Sequence, residues 1–264
     1  MAASNLKHAI AACLLFAATM AWADQAPLKT NGAFTIEVKA SAAEQFAYAS
    51  RITAESTDPS ERHLRVLQSV AALEVIPKRW SADRDMTLRA YREMVARLSG
   101  SNLHGNAIKI CDKAIAFAGK SPEAKVFLAS KGRSLMWLNR QDEARTAFDA
   151  ATTGDFNKLA DFDKNAVLID ATLFYEQAKK FDVAAKHARS RAKVTSSELG
   201  RAEALRKALE LSMKANDKAS AIADLASLSH AALNARMRSL TPDEQEVLAR
   251  IDASIAEYRK KLGV

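Results

Sequence analysis

Residues that break helices are scarce in this sequence. Among 264 residues there are 8 glycines and 5 prolines, and most lie between stretches in which apolar residues recur with helical spacing. After residue 23, no low-complexity or proline- and serine-rich segment divides the chain. These absences argue against separate domains on linkers. They predict an all-α fold, with one continuous helical domain over residues 41–262.

Cysteine is almost absent, and this excludes a disulfide framework. The chain has only Cys13 and Cys111. Cys13 falls in a segment that we predict to be removed, so Cys111 would have no intramolecular partner. Because Cys111 lies among Ile108, Ile110 and Ile115, we expect a buried, unreactive thiol rather than a nucleophile.

Motifs that carry catalysis or bind cofactors are also missing. The sequence contains neither H-E-x-x-H nor G-x-S-x-G. Gly100 and Gly105 have the spacing of a phosphate loop, but Asn106 stands where that loop needs lysine. The histidines after residue 23 lack metal-ligand spacing: His63, His104, His187 and His230. We therefore expect no catalytic site, no cofactor and no metal.

The start of the chain has the features of a secretory signal peptide. Lys7 precedes an apolar run of about 15 residues that ends in Ala21-Trp22-Ala23. A bilayer-spanning helix needs about 20 apolar residues, so this run is too short. We predict that residues 1–23 are cleaved before Asp24 and that the protein is periplasmic or secreted. The alternatives are an uncleaved anchor and a lipid on Cys13.

Positive charge is concentrated in one segment. Without Lys7 the chain has 38 basic and 31 acidic residues, a net charge of +7. Residues 179–214 contain ten basic and four acidic residues, a net charge of +6. Lys186, Arg189 and Lys193 are three and four apart, so they share one helix face. This face either contacts an acidic partner or anionic lipid headgroups, or is simply solvated.

Nucleic acid is not an expected partner of this basic segment. The segment offers no series of aromatic side chains on which bases could stack. An exported chain would also not meet chromosomal DNA or cytosolic nucleotides.

Start signals divide the chain into helices. Two sites have the spacing of a capping box, Ser41/Glu44 and Thr195/Glu198. At three further sites a capping residue precedes proline: Asp58-Pro59, Ser121-Pro122 and Thr241-Pro242. The predicted helices are 42–56, 59–76, 83–99, 103–118, 122–138, 141–152, 162–178, 181–193, 196–214, 217–228 and 242–261, with a further short helix over 230–239. In the lead-in over residues 24–40, Phe34, Ile36 and Val38 alternate with polar neighbours, which indicates a short strand or an extended segment.

A helix-hairpin pattern is clearest between Gly132 and Ala151. Gly132 and Leu135 lie on a first helix, and Ala144, Phe148 and Ala151 lie on one face of a second. Closely packed antiparallel helices need small residues where their backbones approach, with a bulky residue beside them. These positions resemble the pattern of the tetratricopeptide repeat.

Alanines at the matching place of the second helix recur regularly. Ala107, Ala144, Ala184 and Ala221 are separated by 37, 40 and 37 residues, somewhat more than the usual repeat of about 34. Arg191 stands where a small residue is expected, so the other copies are poorer. The resemblance covers about residues 84–230 and implies an α-solenoid of stacked antiparallel helix hairpins. A plain helical bundle is the alternative.

The resemblance implies a concave groove, lined by the first helices, that binds a peptide, a partner helix or another protein. Polar residues on those helices are the candidate partner-binding positions: Arg92, Lys131, Asn165 and Arg206. Helix 242–261 has one apolar and one charged side, so we expect it to cap the stack, with dimerisation as the alternative.

The expected function is that of an exported, non-enzymatic protein-binding scaffold, in bacterial envelope assembly or maintenance. Two alternatives stay open. One is a helical protein that binds or cleaves peptidoglycan, and the other is a secreted effector that interacts with a host.

Overall fold

The computed structural model describes residues 36–54 and 59–264, and within these ranges the chain is helical without any strand. This confirms the all-α prediction. Residues 36–41 form no strand, so the strand interpretation is wrong for Ile36 and Val38. A segment needs a partner for its hydrogen-bond ladder to become a strand. The predicted signal peptide, Phe34 and the predicted cap Asp58 lie outside the described residues.

The helices follow one another with short connections. In chain order they are α1 (Ala42–Ala54), α2 (Pro59–Leu73), α3 (Val75–Arg79), α4 (Arg84–Gly100), α5 (His104–Ala118), α6 (Ala124–Trp137), α7 (Gln141–Thr152), a 3-10 helix (Gly154–Lys158), α8 (Asp161–Gln177), α9 (Phe181–Val194), α10 (Glu198–Lys214), α11 (Lys218–Arg236) and α12 (Pro242–Leu262). The predicted separate helix over 230–239 is wrong, because α11 runs unbroken to Arg236. The predicted helix 59–76 is divided at Glu74.

Two of the predicted helix caps are confirmed, and one is displaced. The Glu44 amide donates to Ser41 Oγ at 3.2 Å, and Thr241 forms a complete capping box with Glu244 at the start of α12. The predicted cap Thr195 is wrong, because Ser197 caps α10 by accepting from the Gly200 amide at 3.0 Å. The Thr195 hydroxyl instead donates to the Arg191 carbonyl at 2.8 Å and closes α9.

One turn geometry recurs after α4, α6, α8 and α10. In each turn one residue is left-handed, with φ between 57 and 59°: Asn102, Asn139, Lys179 and Asn216. The amide of the following residue bonds to the carbonyl five positions back in all four turns, over 2.8–3.0 Å. This is the Schellman arrangement that ends many helices. The four left-handed residues are 37, 40 and 37 apart and lie five positions before the alanines of the predicted repeat.

The chain divides into two compact units. Among the described residues, unit 1 contains those up to Lys120 and Ser130–Glu143, and unit 2 contains Ser121–Ala129 and Ala144–Val264. In unit 1, α1, α2 and α4 are joined by Arg97. Its guanidinium donates to the Ala49 carbonyl at 2.9 Å, to Ser69 Oγ, and to Glu93 Oε1 at 2.7 Å.

Unit 2 is built by helices that pack on their neighbours in sequence. Helix α9 packs between α8 and α10, α10 packs on α11, and α12 packs on both α10 and α11. Leu248, Ile251 and Leu262 of α12 join the core formed by α10 and α11. At the other end of the unit, the rings of Phe148 on α7 and Phe174 on α8 are 5.0 Å apart. These contacts place α8, α9 and α10 side by side, where the candidate site lies.

Candidate functional site

A groove of about 540 Å³ runs along α8, α9 and α10. Its lining consists of Ile169, Thr172, Leu173, Glu176, Ala188, Arg191, Glu203, Arg206 and Lys207. Helix α9 contributes the small side chain of Ala188, which leaves space between the longer side chains of α8 and α10. The groove therefore lies where the small Ala188 of α9 stands between the longer side chains of α8 and α10.

The apolar part of the groove is formed by Ile169 and Leu173 of α8. These side chains lie one helical turn apart and are 41% and 40% exposed. Exposed aliphatic residues at this spacing are suited to contact the apolar side of a peptide or helix. Neither residue was predicted from the sequence, although their i, i+4 spacing is visible there.

An ion-pair network joins α8 to α10 at one end of the groove. Glu176 accepts from Lys207 at 2.7 Å and from Lys214 at 2.8 Å, and Lys214 also donates to Glu210 at 2.6 Å. Burial opposes ionisation of Glu176, but the hydrogen bonds from the two lysines hold its pKa below the ordinary value. The same carboxylates raise the pKa of Lys214. These four charges are satisfied internally and fix the spacing of the groove walls.

Two arginines in the groove have no carboxylate partner in the described part of the chain. Arg191 Nε donates to the side-chain oxygen of Asn165 at 3.0 Å, and Arg206 reaches into the groove from α10. Glu203 lies beside them, also without an ion-pair partner among the described residues. The groove therefore combines an apolar strip with charges that remain available to a ligand.

The structure brings together only two of the four predicted groove positions. Arg206 lines the groove. Asn165 is not part of the lining, but its side-chain oxygen accepts a hydrogen bond from Arg191, which is. Arg92 and Lys131 belong to unit 1 and do not line this groove, and Lys131 pairs with Asp112 at 2.6 Å. Arg191, which the repeat pattern marked as a departure from a small residue, supplies one of the available charges.

The predicted repeat-packing residues are all buried: Ala107, Gly132, Ala144, Phe148, Ala151, Ala184 and Ala221. In the predicted basic face, Lys186 and Lys193 are exposed. Arg189 differs from them, because it forms two hydrogen bonds to Asp224 of α11, at 2.7 and 2.9 Å.

A cluster of titratable side chains around the buried Tyr175 lies elsewhere in unit 2. The Tyr175 hydroxyl donates to Asp149, and the His187 ring stacks on Tyr175 with centroids 5.4 Å apart. Burial lowers the pKa of His187, although Asp149 acts in the opposite direction. Burial and the hydrogen bond to Asp149 raise the pKa of Tyr175. The cluster joins α7, α8 and α9 through the exposed Asp149, the buried Tyr175 and the partly buried His187.

Residues 36–54 and 59–264 contain no cluster of three or more histidine, cysteine or acidic side chains that could hold a metal ion. No helix in the same ranges combines the length and apolar character needed to cross a membrane. No protein-family model matches the chain, and no curated protein matches its sequence.

Proposed function

We propose that the chain is an exported, tetratricopeptide-like α-solenoid and acts as a non-enzymatic protein-binding scaffold. Its ligand is a peptide or helix of another protein, held in the groove along α8, α9 and α10. Because residues 1–23 have the features of a secretory signal peptide, we place the protein in the bacterial periplasm. Its proposed role there is in envelope assembly or maintenance. We propose that the signal peptide is cleaved between Ala23 and Asp24. N-terminal sequencing of the exported protein tests this and should find Asp24 first.

The repeat part of this proposal is supported by the recurring turn. A turn of the same hydrogen-bonding pattern ends α4, α6, α8 and α10 at intervals of 37, 40 and 37 residues. A buried alanine follows five residues later each time, at Ala107, Ala144, Ala184 and Ala221. Stacked hairpins need a common turn and a common small residue, because each repeat must present the same surface to the next.

The binding part is carried by one observation. Ile169 and Leu173 remain about two-fifths exposed beside Arg191 and Arg206, which have no carboxylate partner among the residues that the structure describes. Apolar anchors bordered by charge are the usual composition of a helix- or peptide-binding groove, where burial supplies affinity and charges fix orientation. The Glu176 network ties α8 to α10 at a set separation, which supports a site that is formed before a ligand binds.

Photo-crosslinking in the native envelope tests this assignment. A photoreactive phenylalanine analogue at Leu173 should capture a defined protein partner. The same analogue at Ile222 should not, although Ile222 is a comparably exposed aliphatic residue (38%) of unit 2 outside the groove. Leu173→Glu should weaken partner binding about tenfold, whereas Ile222→Glu leaves it unchanged.

Three results would argue against the groove. Equal capture at both positions would indicate non-specific contact, and no capture at Leu173 would remove the groove from consideration. Recovery of glycan fragments without a protein partner would favour the peptidoglycan-binding alternative.

A further inference from the structure

A second pocket lies on the other side of α10 from the groove. It has a volume of about 660 Å³ and is lined by Arg189, Ala192, Lys193, Arg201, Leu205, Ser220, Ala223, Asp224 and Ser227. Helical geometry separates the two sites, because Arg201 and Leu205 project from α10 roughly opposite to Glu203, Arg206 and Lys207. The pocket is thus formed by α9, α10 and α11 without any residue of the groove.

Arg189 is held rigidly at this pocket. Its Nε and Nη2 atoms donate to the two carboxylate oxygens of Asp224 at 2.7 and 2.9 Å, and Nη2 also donates to Ser212 Oγ at 2.7 Å. Ser212 in turn donates to Asp224 at 2.8 Å. These bonds leave the N–H groups of Nη1 unused. A guanidinium fixed in this way offers its remaining donors to a ligand with little further loss of side-chain entropy.

Two more cations line the pocket. Lys193 is exposed and has no ion-pair partner among the described residues. Arg201 uses Nη1 to bond Glu198 at 2.8 Å, and its other nitrogens remain available. Among the lining residues, three cationic side chains face one carboxylate, that of Asp224, which Arg189 and Ser212 already occupy. The remaining field is positive and favours an anion.

The pocket is also partly apolar. Ala192, Leu205 and Ala223 contribute aliphatic surface from three different helices. A carboxylate-bearing side chain brings methylene groups with its charge, so an acidic peptide can use both kinds of surface.

We propose that this pocket binds an acidic segment of a protein partner, with carboxylates facing Lys193 and the free N–H groups of Arg189. A membrane surface fits the structure less well. Four of the ten basic residues in 179–214 have carboxylate partners within the chain: Arg189, Arg201, Lys207 and Lys214. The charge that remains at this pocket lies in a concavity between three helices, whereas lipid headgroups present a plane. The proposal does not depend on the groove.

A labelled glutamate decapeptide is the probe, with a glutamine decapeptide as its uncharged counterpart. The fluorescence anisotropy of each labelled peptide is measured as the chain, expressed from its full-length gene, is added. The glutamate peptide should bind saturably and more weakly as salt is added, whereas the glutamine peptide should not bind. Amide chemical shifts should move at residues of α9, α10 and α11 that line the pocket, and not at Ile169 or Leu173.

Lys193→Gln and Lys186→Gln form a matched pair of variants. Both lysines are exposed on α9 and both changes remove one charge, but only Lys193 lines the pocket. We expect Lys193→Gln to weaken binding about three- to fivefold and Lys186→Gln less than about 1.5-fold. Circular dichroism of both variants should match that of the unmodified chain, because neither lysine forms a hydrogen bond or ion pair with any residue that the structure describes.

The proposal is overturned by any of three results. The first is no saturable binding of the glutamate peptide. The second is an equal loss of binding in the two variants, which would indicate diffuse attraction to the whole segment. The third is binding only to vesicles of mixed phosphatidylglycerol and phosphatidylcholine, which would assign the basic residues to a membrane surface.

Discussion

Asp224 should control the stability of unit 2 through its pair with Arg189. The Asp224 side chain is 5% exposed and that of Arg189 is 30% exposed. The hydrogen bonds to Asp224 raise the pKa of the guanidinium despite the cost of burial. Replacing Asp224 by leucine removes both carboxylate acceptors of Arg189 and leaves a charged guanidinium against α11, with Ser212 Oγ as its remaining acceptor. Ser212 also loses the carboxylate to which it donates.

The size of the effect follows from the burial of each partner. Breaking a fully buried ion pair costs about 3–5 kcal/mol, because one charge is left without compensation. Arg189 can turn partly into solvent, so we expect Asp224→Leu to lower the free energy of unfolding by about 2–3 kcal/mol. The double variant Arg189→Met with Asp224→Leu should return to within about 1 kcal/mol of the unmodified chain, because well-packed apolar pairs often replace ion pairs.

Urea denaturation followed by circular dichroism measures this change. Tryptophan fluorescence provides a second signal from unit 1, because Trp80 and Trp137 both lie there. Asp252→Asn is the control, since Asp252 pairs with Arg236 on the surface of unit 2 and should cost less than about 1 kcal/mol. The reasoning is refuted if Asp224→Leu costs no more than this control, or if the double variant is less stable than Asp224→Leu alone.

Four further outcomes can be measured on the same material. Ala144→Glu should cost about 3–5 kcal/mol in urea denaturation, because Ala144 is fully buried; a near-neutral change would contradict the proposed hairpin packing. Burial holds the pKa of His187 below its ordinary 6.5, so the unfolded chain binds more protons and stability should fall as pH drops through 6.5 towards the lower folded pKa. His187→Gln should flatten that slope in thermal melts at pH 5 to 7, and an unchanged slope would exclude this histidine as its source. Burial raises the pKa of Cys111 to about 12, so a thiol reagent at neutral pH should label it only after unfolding; rapid labelling of the native chain would show that the thiol is accessible. Lys179→Gly should raise the free energy of unfolding by about 0.5–1 kcal/mol, since glycine removes the cost of the left-handed backbone; a loss of stability would show that the Lys179 side chain contributes more than its backbone costs.

Helix positions were largely predictable because local signals determine them. Scarce breakers and side-chain caps marked most boundaries, and Thr241 is a clear case. The wrong break predicted in α11 ignored a local signal. No glycine or proline lies between Lys218 and Arg236, so the sequence itself favours one continuous helix there. The recurring turn was harder to predict from its own residues, because asparagine and lysine occupy the left-handed position that glycine usually marks. Its period was visible only through the alanines that follow it.

The candidate sites were less predictable, because they depend on contacts between residues far apart in the chain. Helical spacing predicts that Lys186, Arg189 and Lys193 share one side of a helix, and all three lie on α9. It could not show that Asp224, 35 residues after Arg189, neutralises one of these charges. It also could not show that Glu176, on α8, neutralises Lys207 and Lys214 of α10.

The pairing of these charges changes what the basic segment means for function. Counted along the sequence, residues 179–214 form one block with a net charge of +6. In unit 2, internal carboxylates neutralise four of these basic residues, and three of the others lie on two sides of α10. Arg191 and Arg206 lie at the groove with the exposed aliphatic residues, whereas Lys193 lies at the opposite pocket. A ligand at either site therefore meets only a few fixed charges beside apolar surface, which favours recognition of a particular segment over general attraction to anions.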